Sequence, residues 1–489
     1  MKPPKPDARC LVCGGRIQPV IAVPYLRLPG ICQFVACQEC GTTFDAARLF
    51  DDQYVGSNAQ YTEADIKFYV EYVAGIEYFA MLIGILKHVL ANAPVPIATP
   101  HFLDIGTAFG FAVSIAKSCG WEAIGIEPSS FGTIGSQLLN IPIIVDYLGN
   151  ADLAAESFDC IMIADVIEHV AQPEALVTSA LQLLKPNGIL LITTPNSEVV
   201  TQHTEADVTD VLSPGYHLTI FSPNGLGHIL AGTNVAENRF FFQGGASGRK
   251  SMTILASRTQ GIIPLELPWE QIASEANLLA DGYLKQLVAQ KEHAAQTDML
   301  YGGALFRLLE KSMLQHDYPT AYQFQQKLER LDAQNSANNW SEARLNEIAQ
   351  MDFTALVQAL PAYSGMFHYY SGVLKREYLK DDTAASRSFH IAKRLFSVEK
   401  QTQIFPRISW PEKAGYYEAR ALLNAGYPKQ AIIAFQELMN TPQDVPVEFW
   451  EQIYRGKATA HMRLGQYPSA IQSLVQLLRL HLTKGSGKR

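Results

Sequence analysis

The sequence predicts an α/β core, a doubly wound parallel sheet, between a small cysteine-rich N-terminal module and an all-helical C-terminal region. Three observations carry this. Residues 99–258 alternate strand-like and helix-like stretches, the pattern of a parallel sheet with helices on both faces. Cys10, Cys13, Cys32, Cys37 and Cys40 crowd into the first forty positions. From residue 300 onward the strand signals fade and helical periodicity takes over. At 489 residues the chain exceeds what a single core supports, so two or three domains are expected.

Within the core the elements follow in order. Strand one runs from His101 to Ile105, and a helix from Phe111 to Cys119. Strand two is Ala123 to Ile126, strand three Ile143 to Val145, and strand four Phe158 to Ala164. A helix ends at Leu184, stopped by the turn Lys185-Pro-Asn-Gly188, and strand five is Gly188 to Thr194. Phe240–Phe242 and Met252–Ala256 are expected to close the sheet as a hairpin, with Gly244 to Lys250 as its turn.

Strand one ends in Asp104 and strand two in Glu127, with a glycine turn and a helix between them. One acid after each of two strands suits a ligand that carries an adenosine and a cation. The turn, Gly106-Thr-Ala-Phe-Gly110, is G-x-x-x-G rather than the G-x-G-x-x-G of dinucleotide sites, which disfavours NAD.

Four pieces in order resemble the class I S-adenosylmethionine-dependent methyltransferases, most closely the branch with quinone and sugar methyltransferases. They are Leu103–Gly110, Gly125–Pro128, Phe158–Val170 and Leu184–Pro195. Tyr216–Pro223 looks like that family's segment before its last core helix. The resemblance covers about a third of the chain and implies a Rossmann-like core. It implies that Gly106, Thr107 and Gly110 shape the cofactor turn, and that Asp104 faces the methionine ammonium. Glu127 would take both ribose hydroxyls, Asp146 the adenine amino group, and Asp165 would line the methionine side. Ala108 stands where the family usually has its middle glycine.

Methyl transfer needs alignment and, for a hydroxyl, removal of a proton. The candidate catalytic residues are His169, His217 and Glu168, near the carboxyl ends of the strands. In similar quinone methyltransferases an acidic cluster ending in Glu-His holds a divalent metal, and Asp165, Glu168 and His169 are the counterparts. The alternative is that Glu168 and His169 only start a helix and that His217 packs a loop. His101, Cys119 and Cys160 read as structural.

Cys10-x-x-Cys13-Gly and Cys37-x-x-Cys40-Gly are two knuckles that make a structural zinc ribbon over residues 1–50. Cys32 is spare, or replaces one ligand. Residues 51–98 are read as a helical cap or linker, with Tyr61, Phe68, Tyr69, Tyr72, Tyr78 and Phe79 at helical spacing. Residues 259–300 are read as a linker, extended over Gly261–Pro268 and then helical. In residues 301–489, Asp317-Tyr-Pro, Gly426-Tyr-Pro and Gly465-Gln-Tyr-Pro recur with alanines after them, which resembles tetratricopeptide repeats. Stacked helix pairs expose surfaces for protein partners. Lys484–Arg489 reads as a frayed tail.

The formal charge is −8, and the core holds 15 acidic against 6 basic residues, which disfavours a nucleic-acid partner. No signal peptide or membrane span is expected, and the clustered cysteines suit a reducing cytoplasm. A small-molecule acceptor is favoured: a sugar, sugar nucleotide or glycoconjugate, because sugar C-methyltransferases with a zinc domain look similar. The competing readings are a ribosomal-RNA methyltransferase with an N-terminal finger, and a cofactor-binding scaffold that recruits partners through its repeats.

Overall fold

The computed structural model describes residues 8–25, 30–49, 62–73, 75–92, 97–201, 208, 211–242, 250–292, 298–334, 340–401, 410–440 and 449–485. The chain divides into two compact units. One comprises residues 1–61 and 75–283, the other 62–74 and 284–489.

The first unit opens with three antiparallel strands, β1 (Ile17–Pro24), β2 (Ile31–Cys37) and β3 (Thr43–Asp45). Helix α1 (Glu63–Glu71) belongs to the second unit. The chain re-enters the first unit at α2 (Ile76–Ala91), an apolar helix buried along most of its length. The core follows: β4 (His101–Ile105), α3 (Phe111–Ser118), β5 (Glu122–Ile126), α4 (Ser130–Leu139), β6 (Ile143–Ile144), β7 (Phe158–Ala164), α5 (Pro173–Leu183) and β8 (Leu184–Pro195). After β9 (Thr219–Ile220) come α6 (Pro223–Ala231), β10 (Glu237–Phe241), β11 (Ser251–Ser257) and α7 (Trp269–Lys291).

The large sheet has the order β10-β11-β8-β7-β4-β5-β6. The strands from β8 to β6 run parallel, and β11 and β10 close the edge antiparallel. Central strands of such a sheet are covered on both faces. Accordingly β7 reads Phe-Asp-Cys-Ile-Met-Ile-Ala and is buried over its first six residues. The chain leaves β4 toward β5 and β6, then crosses back to β7 and β8. Ligands bind in such sheets at the carboxyl ends, where the order reverses. The expected core strands are all present. The expected turn at Lys185–Gly188 instead lies inside β8, where Lys185 Nζ holds both oxygens of buried Asp159 at 2.9 Å. Of the expected hairpin turn, residues 243–249 lie outside the described residues.

Three expected boundaries change. The ribbon is not a free-standing module: β3 pairs with β9 of the core, so the small sheet reads β1-β2-β3-β9. Val23, Cys32 and Phe34 share an apolar cluster with Val199, Val211, Leu212 and Ile220. The segment 51–98 is not one cap, because α1 and α2 join different units. Residues 259–300 carry the helix expected after Pro268, but up to Tyr283 they belong to the first unit, where Tyr283 Oη donates to Ser114 Oγ of α3 at 2.8 Å.

The second unit is helical: α8 (Met299–Leu314), α9 (Tyr318–Gln334), α10 (Glu342–Ile348), α11 (Phe353–Ala359), α12 (Ser364–Glu377), α13 (Asp382–Gln401), α14 (Trp410–Asn424), α15 (Pro428–Asn440), α16 (Trp450–Arg463) and α17 (Tyr467–Gly485). Four hairpins, α8–α9, α12–α13, α14–α15 and α16–α17, each turn on one left-handed residue. These are His316, Lys380, Gly426 and Gly465, with φ of 58°, 58°, 87° and 69°. The next amide reaches back to a last-turn carbonyl, as from Asp317 to Ser312 and from Tyr427 to Leu422. Helix pairs are therefore observed, and their family name stays an expectation. Phe68 and Tyr72 of this unit pack on Phe353 and Phe306. Among the described residues no single helix is long and apolar enough to cross a membrane.

Candidate active site and cysteine centre

The cofactor-side candidates gather at the carboxyl ends of β4, β5 and β7. The turn after β4 is stapled to β5, with the amides of Gly106 and Thr107 both donating to the Ile126 carbonyl at 2.8 and 3.0 Å. Gly106 has φ +73° and Gly110 φ +90°. A Cβ on Gly106 would lie 2.4 Å from Val166, and one on Gly110 2.5 Å from Ile141. The glycines are thus required by the protein's own packing as well as by backbone conformation. Ala108 keeps a left-handed φ of +48° where glycine would be unstrained. Asp165, at the end of β7, is left-handed too, with φ +53°.

Asp104 is 1% exposed and accepts from Thr107 Oγ1 at 2.6 Å. Burial, followed by the Glu127 charge, pushes its carboxyl up to about 7, against the pull of the Thr107 bond. Thr107 is itself buried, its methyl against Gly125, so it braces Asp104 instead of facing solvent. Glu127 is half-buried. Its two oxygens accept from the amides of Ala108 at 3.0 Å and Ser129 at 2.9 Å. The carboxylate is therefore fixed in orientation before any ligand arrives. Asp146 follows β6, and its Oδ1 caps its own loop through Tyr147 N and Asn150 Nδ2, both at 2.7 Å. Those bonds hold its carboxyl below the usual range.

The catalytic candidates do come together. Glu168 and His169 lie in a 3-10 turn after β7, and His217 precedes β9. The two imidazoles meet edge to face at 4.8 Å between centroids. His169 Nδ1 lies 2.9 Å from the Tyr216 carbonyl, and His217 Nδ1 lies 2.8 Å from the Val211 carbonyl. A carbonyl only accepts, so each Nδ1 carries the proton and each Nε2 keeps a lone pair. Burial lowers the basicity of both rings. For His217, burial and the neighbouring His169 push the value down to about 3. Glu168 is fully buried, and Oε2 accepts from Thr194 Oγ1 at 3.1 Å while buried Oε1 has no hydrogen-bond partner among the described residues. Burial and then the Asp165 charge hold its carboxyl well above the usual range.

Ligand atoms of Glu168, His169 and His217 lie within 4.8 Å of one another. The group holds Glu168 and His169 of the expected set, with His217 in the place of Asp165. Asp165 is instead engaged by Tyr78 Oη at 2.8 Å and by Thr193 Oγ1 at 3.2 Å, and Tyr78 Oη lies 2.6 Å from Thr193 Oγ1. Tyr78 is one of the aromatics of the expected cap, of which Tyr61 lies outside the described residues, and Thr193 is not among the candidate residues.

The second cluster joins Cys10, Cys13, Cys37 and Cys40. Sγ–Sγ separations are 3.7 Å for Cys10–Cys40 and 3.5 Å for Cys13–Cys37. A tetrahedral zinc with bonds of about 2.3 Å sets its sulfurs about 3.8 Å apart, so the geometry is compatible with zinc. The amides of Val12, Glu39 and Cys40 point at Cys10 or Cys37 sulfur at 3.3–3.4 Å, which favours thiolates. Cys32 is not among the four. It is fully buried in the apolar cluster beside β9, where burial raises its thiol. His101 pairs with Glu122 at 3.2 Å at the opposite strand end, as a structural residue.

Residues 78–236 match a family model described as a methyltransferase domain. A ubiquinone biosynthesis O-methyltransferase of Cereibacter sphaeroides is 32% identical over 111 residues, covering 22% of this chain and 45% of that protein. One from Xanthomonas campestris is 32% identical over 118 residues, covering 23% of this chain and 48% of that protein. The chain thus spans under half the length of the curated relatives it matches. A solved S-adenosylmethionine-dependent methyltransferase from Thermotoga maritima is 20% identical, with a TM-score of 0.31, covering 40% of this chain and 98% of that one. The matched stretch holds the four motifs and the acids at the strand ends, so residues 78–236 of this chain are similar to a methyltransferase domain.

Proposed function

We propose that the chain transfers the methyl group of S-adenosylmethionine to a hydroxyl of a small molecule. The observation that carries this reading is the pair His169–His217, both with Nδ1 spent on carbonyls, at the carboxyl end of the sheet beside Asp165. Two neutral imidazoles with Nε2 lone pairs are groups that can take a hydroxyl proton. Asp104 would face the methionine ammonium, whose charge would return this buried carboxyl to its ionised form. Glu127, already oriented by two amides, would take the ribose hydroxyls. Tyr78 and Thr193 would hold Asp165 beside the methionine.

Glu168, His169 and His217 fit a divalent cation as well: the Glu168 Oε1 is buried without a hydrogen-bond partner among the described residues, and a carboxylate with two imidazoles is an apt donor set. Such a cation would lower the pKa of a bound hydroxyl. Glu168 and the two histidines would hold it, and their fixed Nδ1 bonds would aim the rings. In the ribbon, a zinc on the four cysteines would be structural, since a closed shell leaves no open position.

Curated relatives named for ubiquinone biosynthesis support a hydroxyl acceptor. The ribbon-before-core order supports a sugar or sugar nucleotide. A panel of nucleotide sugars, dihydroxyphenols and ribosomal RNA with methyl-labelled S-adenosylmethionine tests the reading. Label in a sugar or phenol hydroxyl is the expected result, lowered roughly 100-fold or more by His169→Gln, which removes the ring that the Asp165 charge keeps more basic. Label only in RNA, or none with any acceptor, would contradict it.

A further inference from the structure

The ribbon is bonded to both chain segments that carry the catalytic histidines. Ser222 Oγ donates to the carbonyl of Cys40, and Ser197 Oγ donates to that of Gly41 at 2.8 Å. Phe44 and Thr43 pair with Thr219 and Ile220, and the Asp45 amide donates to the Leu218 carbonyl at 3.2 Å. The Leu218 amide in turn donates to the Glu168 carbonyl at 2.8 Å. Leu218 follows His217 and Glu168 precedes His169, so this ladder runs from the second cysteine knuckle to the backbone beside both histidines.

One side chain spans the two histidine segments. Arg48, just past β3, donates through Nη2 to the Ala171 carbonyl at 2.7 Å and through Nη1 to Thr219 Oγ1. Ala171 lies two residues beyond His169, and Thr219 two beyond His217. A guanidinium offers several donors in a rigid plane, which fixes the distance between two acceptors as a flexible ammonium does not.

We propose that Arg48 is a positioning residue that sets the separation of His169 and His217, and that the cysteine centre holds Arg48 in place. The ribbon is then part of the acceptor half of the active site, while the cofactor half, at β4 and β5, is independent of it. This rests on the proposed methyl transfer only for the meaning of the histidine pair; the bracket itself is a statement about geometry.

The test uses the full-length zinc-loaded chain, with imidazole nitrogen NMR, amide hydrogen exchange and calorimetry with S-adenosylhomocysteine. In Arg48→Ala the His169 and His217 signals are expected to move together, and exchange at residues 216–219 to rise about tenfold. Zinc content and S-adenosylhomocysteine affinity stay within about twofold. Arg48→Lys, able to reach one acceptor at a time, falls between. Removing the zinc with a chelator reproduces the Arg48→Ala pattern. Unchanged imidazole signals and exchange would overturn the proposal, as would a parallel loss of cofactor affinity, which marks a general structural role. If Arg48→Ala does not fold, Arg48→Lys and Thr219→Val decide by the same readouts, and no change in either overturns it. A parent chain that binds no S-adenosylhomocysteine refutes the proposed function instead, and the NMR and exchange results still judge the bracket.

Discussion

Asp104 shows how a single residue carries both the function and a penalty. Its carboxyl is pushed up to about 7 by burial, against an ordinary value near 4. The unfolded chain therefore releases its proton first as pH rises. Stability contributed by the protonated acid is present at low pH and lost between about 4 and about 7. Asp104→Asn is accordingly expected to raise the melting temperature of the ligand-free chain at pH 8 more than at pH 5, and to weaken S-adenosylmethionine binding. Equal effects at the two pH values would contradict the burial argument. Ala108, at φ +48°, offers a second check: Ala108→Gly relieves about 1 kcal/mol of left-handed strain, visible in denaturant unfolding. At this scale the positions of Asp104 and Glu127 at strand ends and the grouping of the four cysteines were legible from spacing. The local bonds of Thr107 to Asp104 and of Asp146 to Asn150 were not, because they depend on loop conformation. The bond of Tyr78 to Asp165 stayed hidden because an aromatic at helical spacing looks the same whether it packs a core or binds Asp165.

At the scale of elements, the parallel sheet was readable because buried central strands are continuous apolar runs. The helical hairpins were readable because a turn must follow each helix. What alternation could not show was β9, a two-residue strand that exists only because β3 lies beside it. The hairpin turns give a prediction of their own. A Cβ on Gly426 or Gly465 would touch nothing within 4 Å, so alanine there meets only backbone strain. Gly426→Ala and Gly465→Ala should each cost about 1 kcal/mol, and Lys380→Gly should gain a comparable amount. A larger loss at the glycines, measured by chemical denaturation, would show that they have contacts beyond the turn.

Across the whole molecule, the order of ribbon, core and helices was evident from sequence, but the way the chain is shared between units was not. Thr62–Ala74 joins the helical unit before the core has begun, and the ribbon joins the core's unit through Thr219 and Ile220. Neither event leaves a local signature, since each depends on partners more than a hundred residues away. Within the first unit, Asp104, Glu127 and the His169–His217 pair lie toward the carboxyl ends of the strands, and the central claim is that the acids at β4 and β5 form the proposed cofactor site. Calorimetry of the full-length chain with S-adenosylhomocysteine, alongside Glu127→Gln, tests it most directly. Saturable binding at one site per chain, weakened at least about 100-fold by Glu127→Gln, is the predicted result. Undetectable binding in the parent chain, or equal affinity in the variant, would contradict it.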